Sequence, residues 1–287
     1  MSDPDTPLIC ALLDVWLGRQ LTSAARGWLE EAKGRVAAGP DRDVFLVIGL
    51  AGRKVGKGEL SLTPEDLEDA RRARPGWDPR SLTLDQAARI RLLLADDDAG
   101  RFAVRLDRLS VAAEVGELVA FLRGLPLYPA PERHLARAAK GVRSNMMDVF
   151  RAVAHANPYP AERFPQDAWN QMVLKALFIG VPLHPIQGLE RRANPALARM
   201  LCDYARERRA ARRPVSPELW RCVGPHADGA ALADLEQALA GPDPAERGGA
   251  ALALAASPHP GASAALARAP ELRDAAADGR LAWERLA

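Results

Sequence analysis

Aromatic residues make up only 5% of this 287-residue chain, and Val and Ile are sparse beside Ala, Leu and Arg. Sheets are built from β-branched and aromatic side chains, so that shortage argues against an extensive sheet. Cysteine is nearly absent. Cys10, Cys202 and Cys222 are widely separated and form no CxxC pair, which excludes a secreted disulfide framework and zinc-site spacing. There is no surplus of charge either: 39 basic and 37 acidic residues leave a formal net charge of +2. Nucleic-acid binding, which favours a basic stripe or a larger surplus, is therefore disfavoured. The longest apolar runs, such as Val44 to Leu50, fall well short of the ~20 residues that span a bilayer. The N-terminus, Met1-Ser2-Asp3-Pro4-Asp5, is acidic where a signal peptide would be basic. A cytoplasmic protein is expected, touching a membrane only through a partner.

What is present favours helices. Hydrophobic residues reach 48% of the chain, enough for a substantial core. Thr63-Pro64-Glu65 sets a capping hydroxyl, a proline at the first helical position and an acid in the first turn. Asn194-Pro195, Ser216-Pro217-Glu218 and Asp243-Pro244-Ala245-Glu246 repeat the arrangement, and Thr83-Leu84-Asp85-Gln86 has the form of a capping box. Pro and Gly fall between periodic segments. These signals predict helices near 6–18, 22–37, 42–53, 64–73, 84–95, 97–108, 111–123, 131–141 and 145–155. Further helices are expected near 166–180, 184–191, 195–211, 217–222, 229–239, 244–256, 261–268 and 279–286.

Helices this short must pair and stack to bury a face. Asp243-Pro244, Arg247, Ala250-Ala251, Leu252 and Leu254 fit the pattern of HEAT-like repeats. The expected fold is all-α, with paired short helices stacked as a HEAT-like, α-solenoid-type array. Clear periodicity does not reach the N-terminal half.

Familiar catalytic motifs fail. Gly52-Arg53-Lys54-Val55-Gly56-Lys57-Gly58 has three residues between its first two glycines and no Ser or Thr after the lysine. It reads as a basic helix-ending turn rather than a phosphate loop. His134, His155, His184, His226 and His259 are scattered without ligand spacing. No metal or cofactor is expected. Arg206, Arg208, Arg209, Arg212 and Arg213 form a basic run at the end of the 195–211 helix. It either complements the helix dipole or meets an anionic partner.

The segment from Arg143 to Asn194 is unusually rich in polar residues for its apolar setting. On a helix from Asp167 to Gly180, at about 100° per residue, Asp167, Asn170, Gln171 and Lys175 share one strip about 140° wide. Apolar residues surround the rest. Burying such groups unpaired costs roughly 1–3 kcal/mol each. They either bond neighbouring loops such as Asn157-Pro158-Tyr159-Pro160 and fix the fold, or they line a groove.

Three strings in this segment resemble the EboA family. They are Ser144-Asn145-Met146-Met147-Asp148-Val149-Phe150, Asn157-Pro158-Tyr159-Pro160, and the run from Asp167 to Phe178 containing WNQMVLKALF. Pro182-Leu183-His184, Ala193-Asn194-Pro195 and Arg213-Pro214-Val215-Ser216-Pro217-Glu218-Leu219-Trp220 agree as well. The resemblance is dense over 141–224, looser before it and weak after 228. It divides the chain into an N-terminal helical region (1–140), a family core (141–224) and an Ala-rich C-terminal region (225–287), expected to form one continuous array. His155 departs from the family pattern and is left out of the expected site.

The resemblance implies a bacterial protein of secondary-metabolite traffic, in an operon thought to move precursors from the cytoplasm towards the periplasm. Implied partners are a UbiA-like membrane prenyltransferase, a TatD-like hydrolase, a sugar-phosphate-isomerase-like barrel, a dehydroquinate-synthase-like enzyme and a small metabolite. No chemistry is assigned to this member. A non-enzymatic adaptor is therefore expected, binding its ligand or partner through Asn145, Asp148, Asn157, Tyr159, Asp167, Asn170, Gln171, Lys175 and His184. The alternative is an enzyme in which Lys175 holds an anionic substrate and Asp148 or His184 transfers protons.

Overall fold

A computed structural model describes residues 4–286, so Met1 to Asp3 of the acidic N-terminal stretch lie outside the described residues. These residues form helices and turns, and no strand occurs among them; an isolated antiparallel bridge joins Glu59 and Thr83. The all-α expectation is met. The chain divides into two compact units, 1–164 and 165–287. The boundary falls inside the 141–224 stretch.

The first unit holds α1 (Thr6–Gln20), α2 (Ser23–Ala38), α3 (Asp41–Val55), α4 (Pro64–Ala73) and α5 (Leu84–Leu93). It continues with α6 (Ala99–Ala112), α7 (Val115–Arg123), α8 (Leu135–Arg143), α9 (Met147–Ala154) and α10 (Tyr159–Arg163). Helices α3, α5, α7 and α9 pack in succession, each on the next. α2 packs on α3, α1 on α5, α6 on α7 and α8 on α9. This row with flanking partners is compatible with the stacked pairs expected from the sequence.

Local chemistry starts and stops the helices where the pattern predicts. Thr63 Oγ1 accepts the Asp66 amide at 3.2 Å, and Asp66 Oδ2 accepts the Thr63 amide at 2.8 Å, closing a capping box. α3 ends at Gly56, whose φ of +84° suits glycine. The 52–58 segment is thus the helix-ending turn its spacing predicts. Buried polar groups then tie the helices together. Trp16 Nε1 donates to Asp66 across α1 and α4 at 2.9 Å. Arg105 of α6 donates to Asp96 (2.8 Å), Asp41 (3.0 Å) and the carbonyls of Val36 and Gly39.

The second unit holds α11 (Gln166–Phe178), α12 (Leu189–Arg192), α13 (Pro195–Ala210), α14 (Gly229–Leu239), α15 (Pro244–Ala255), α16 (Ala262–Leu266) and α17 (Pro270–Ala277). α15, which carries the HEAT-like pattern, packs against α14, α16, α17 and the 3-10 turn Pro217–Cys222. Its small residues explain the closeness. A Cβ on Gly249 would lie 2.4 Å from the Pro217 carbonyl oxygen, a contact only glycine tolerates.

Some boundaries differ from the pattern. The break between α6 and α7 falls at Ala113–Glu114, where Glu114 and Glu117 form a capping box with neither Pro nor Gly to announce it. The expected 184–191 helix shrinks to Leu189–Arg192, and 217–222 is a 3-10 turn. α10 and α17, both entered through proline, were not expected, while 279–286 holds only the 3-10 turn Trp283–Arg285.

Candidate functional site

The nine residues expected to bind fall in both units. Four lie in the first. Asn157 is 3% exposed. Its Nδ2 donates to the carbonyls of Leu122 (3.1 Å) and Ala152 (3.0 Å), and its Oδ1 accepts the Tyr159 amide at 3.0 Å. The side chain thereby joins the ends of α7 and α9 to the start of α10. Tyr159 is buried, and its hydroxyl donates to the Pro131 carbonyl at 2.5 Å. Burial pushes that hydroxyl's pKa upward. Asn145 and Asp148 are exposed. Asp148 sits in the first turn of α9, where a carboxylate complements the helix dipole, and Arg151 lies 3.9 Å away.

Five lie in the second unit. Asn170 is buried, and its Oδ1 accepts from Gln166 Nε2 (3.0 Å) and Asn194 Nδ2 (2.9 Å). Asn194 Oδ1 in turn caps α13 by accepting the Leu197 amide at 2.9 Å. Asn170 therefore locks α11 to the start of α13. Asp167 is exposed in the first turn of α11. Gln171 and Lys175 line a shallow pocket of about 300 Å³ with Leu174, Phe178, Tyr204 and Glu207. Partial burial holds the Lys175 ammonium below its usual pKa. His184 does not line this pocket. Its ring is exposed, with Nδ1 3.8 Å from Glu218. Buried Glu218 accepts the amides of Leu183 (2.8 Å) and His184 (2.5 Å) instead.

The basic run is largely absorbed by its own unit. Arg206 grips Asp234 with two bonds of 3.1 and 2.7 Å, and Arg209 pairs with Glu246 at 2.7 Å while covering the Trp220 ring. Arg208 donates to the Pro214 carbonyl at 3.0 Å.

A larger concavity of about 690 Å³ lies in the first unit among α6, α7, α8, α9 and the loop joining the last two. Val111, Leu118, Leu122, Met146 and Val149 give it an apolar lining. Val111 is 82% exposed and Met146 46% exposed, unusual for large apolar side chains. α8 presents small residues here. Ala136 adds little bulk to the groove wall, and a Cβ on Gly141 would lie 2.8 Å from Val153 Cγ2, so glycine at 141 is what lets α8 pack closely on α9. Arg137 lies along it, donating to Ser110 Oγ (3.1 Å), to His134 Nδ1 (2.9 Å) and to Asp107. An arginine can only donate, so Nδ1 of His134 accepts and its Nε2–H donates to the Pro129 carbonyl at 3.0 Å. Burial and the Arg137 charge hold this ring neutral, with its pKa lowered to about 4. Lys140 and Arg143 also line the groove, exposed and without a hydrogen-bond or ion-pair partner among the described residues.

Sequence reasoning missed this groove because aliphatic residues at helical spacing look like core. The available signal was the stretch Ala136–Met146, where small residues alternate with cations that have no acid four residues away.

Among the described residues no group of His, Cys, Asp and Glu could hold a metal ion, and no helix is long and apolar enough to cross a membrane. No curated protein and no solved structure is matched by the chain. The family profile of the metabolite traffic protein EboA matches residues 9–224, about three quarters of the sequence, covering all of α2 to α13 and the groove. That coverage agrees with the specific strings at 144–150, 157–160 and 167–178, and the chain belongs to the EboA family of metabolite traffic proteins.

Proposed function

We propose that this protein is a non-enzymatic adaptor of bacterial secondary-metabolite traffic, holding a metabolite bound for the periplasm while it is still in the cytoplasm. The observation that carries this reading is the groove of the first unit, open, lined by aliphatic side chains and inside the family match. Its volume lies in the range of small-molecule sites. The lining is suited to holding rather than transforming, since its one carboxylate, Asp107, is tied to Arg137. Delivery would run through the operon neighbours, foremost the UbiA-like prenyltransferase and the TatD-like hydrolase, so that contact with a membrane comes through a partner.

The test is affinity capture of the tagged chain from its native cells, followed by mass spectrometry of both the small molecules and the operon-encoded proteins retained. Ala136→Trp, which adds bulk to the groove from an exposed helix position, serves as the comparison. A metabolite recovered with the native chain and lost from Ala136→Trp, with unchanged thermal unfolding, supports the reading. Identical recovery with both chains overturns it.

A further inference from the structure

We infer that the groove's occupant is a single-chain amphiphile with an anionic head group, its tail against Leu118, Leu122 and Val149 and its head group held by Lys140 and Arg143. The inference rests on the groove being the binding site and adds the chemical class of what fills it.

Three observations lead to this class. The lining is aliphatic, and two of its large side chains, Val111 and Met146, stand in solvent when nothing covers them. Apolar surface left open in this way is stabilised by any tail that removes it from water. Next, the charge around the groove does not balance. Asp107 faces Arg137, and Arg137 is further fixed by Ser110 and His134, so this pair is satisfied within the fold. Lys140 and Arg143 remain unmatched. Finally, these two cations are three residues apart on α8, which places them as neighbours on one helix surface, roughly 5–6 Å apart at Cβ. That spacing suits one head group with several anionic oxygens, and arginine adds bidentate geometry. A neutral tail would leave both cations unanswered. A free inorganic anion would leave the apolar lining uncovered.

The occupant is taken to be a free small molecule because the concavity is bounded and of small-molecule size, about 690 Å³. A membrane surface would need a convex face instead.

The measurement is isothermal titration of the full chain with decyl phosphate, 1-decanol and inorganic phosphate, each far below any micelle threshold. Sedimentation with vesicles of anionic phospholipid runs in parallel. Decyl phosphate is expected to bind once per chain and about tenfold or more tightly than 1-decanol, a gap that shrinks with added salt. The double variant Lys140→Gln, Arg143→Gln should erase the gap while leaving 1-decanol binding unchanged. Ala136→Trp should weaken both ligands by about tenfold or more. Both changes are at exposed positions of α8, and unchanged thermal unfolding confirms that each variant folds.

Equal binding of 1-decanol and decyl phosphate, untouched by the double variant, overturns the anionic head group but leaves the groove a binding site. Binding of vesicles alone, lost in the double variant, overturns the free small molecule in favour of a lipid surface. No binding of either amphiphile to the native chain overturns the inference. The adaptor reading then stands or falls on the capture experiment with Ala136→Trp.

Discussion

Around Asn157 every polar atom of the side chain has a partner inside the fold, whereas at the α8 groove Lys140 and Arg143 end in solvent with nothing opposite them. Both regions belong to the first unit and both lie within the family match. The difference separates two uses of a polar residue in a helical protein. A buried amide that bonds three backbone groups holds helix ends in place, with both donors used and its oxygen out of a ligand's reach. A cation on an open apolar groove with no partner in the fold has its whole charge available. The proposed site therefore sits where exposed cations have no partner among the described residues.

Asn157→Ala breaks the comparison most severely if it is wrong. It leaves two carbonyls and one amide without their partner in a buried setting, and roughly 3 kcal/mol of unfolding free energy should be lost. Urea denaturation should show a lower midpoint with an unchanged slope. The folded variant should keep its affinity for decyl phosphate. Loss of ligand binding with native stability would instead make Asn157 a binding residue.

A pH experiment sharpens the comparison from the groove side, since Arg137 links the groove to His134. The folded ring has its pKa lowered to about 4, against an ordinary value near 6.5 in the unfolded chain. Between those values the unfolded chain binds a proton that the folded chain does not. Stability from the neutral ring is thus complete above about pH 6.5 and is lost as the pH falls towards 4. From pH 7 to pH 5 the loss is on the order of 2 kcal/mol. The extra loss of the native chain over His134→Gln, measured by urea unfolding at both pH values, isolates it from other acids. Equal losses would mean that the folded ring takes up its proton as readily as the unfolded chain does.

Tyr159→Phe asks how much a single buried bond carries. Only the hydroxyl bonded to the Pro131 carbonyl is removed, and a cost of about 1 kcal/mol follows. A substantially larger drop in the thermal or urea midpoint would show that the turn before α8 depends on that hydroxyl.

How legible all this was in the sequence depends on what kind of signal each feature leaves. Helix starts at Thr63, Thr83, Asn194 and Asp243 were readable because capping is local chemistry. The break between the 97–108 and 111–123 helices was readable but its place at Ala113–Glu114 was not, because its cap is made by glutamates, which also serve as ordinary helix residues. The polar strip on α11 was visible as a periodicity, but periodicity does not say which member turns inward. Asn170 does so to reach Asn194, while Asp167 and Gln171 face solvent, as does Phe178 at 73% exposure. The groove left the faintest trace. Its shape comes from the small side chain at Ala136, from the close approach of α8 to α9 that Gly141 permits, and from which helices happen to meet there. Such an arrangement is fixed by tertiary packing and has no sequence period.

The smallest expected effect makes the finest test of the second unit. Gln171 and Lys175 lie on the solvent side of α11 beside Tyr204 and Glu207. Gln171→Ala and Lys175→Met should each change unfolding free energy by no more than about 0.5 kcal/mol, as surface substitutions usually do. Lys175→Met removes both an ammonium that partial burial disfavours and the contact that this side chain makes in the fold, and the two effects oppose each other. Neither should alter decyl phosphate binding, since no residue of this pocket lines the α8 groove. A Lys175→Met chain that kept its stability but lost a metabolite captured from native cells would move the binding site from the groove to α11. It would also restore Lys175 to the role its place in the WNQMVLKALF string first suggested.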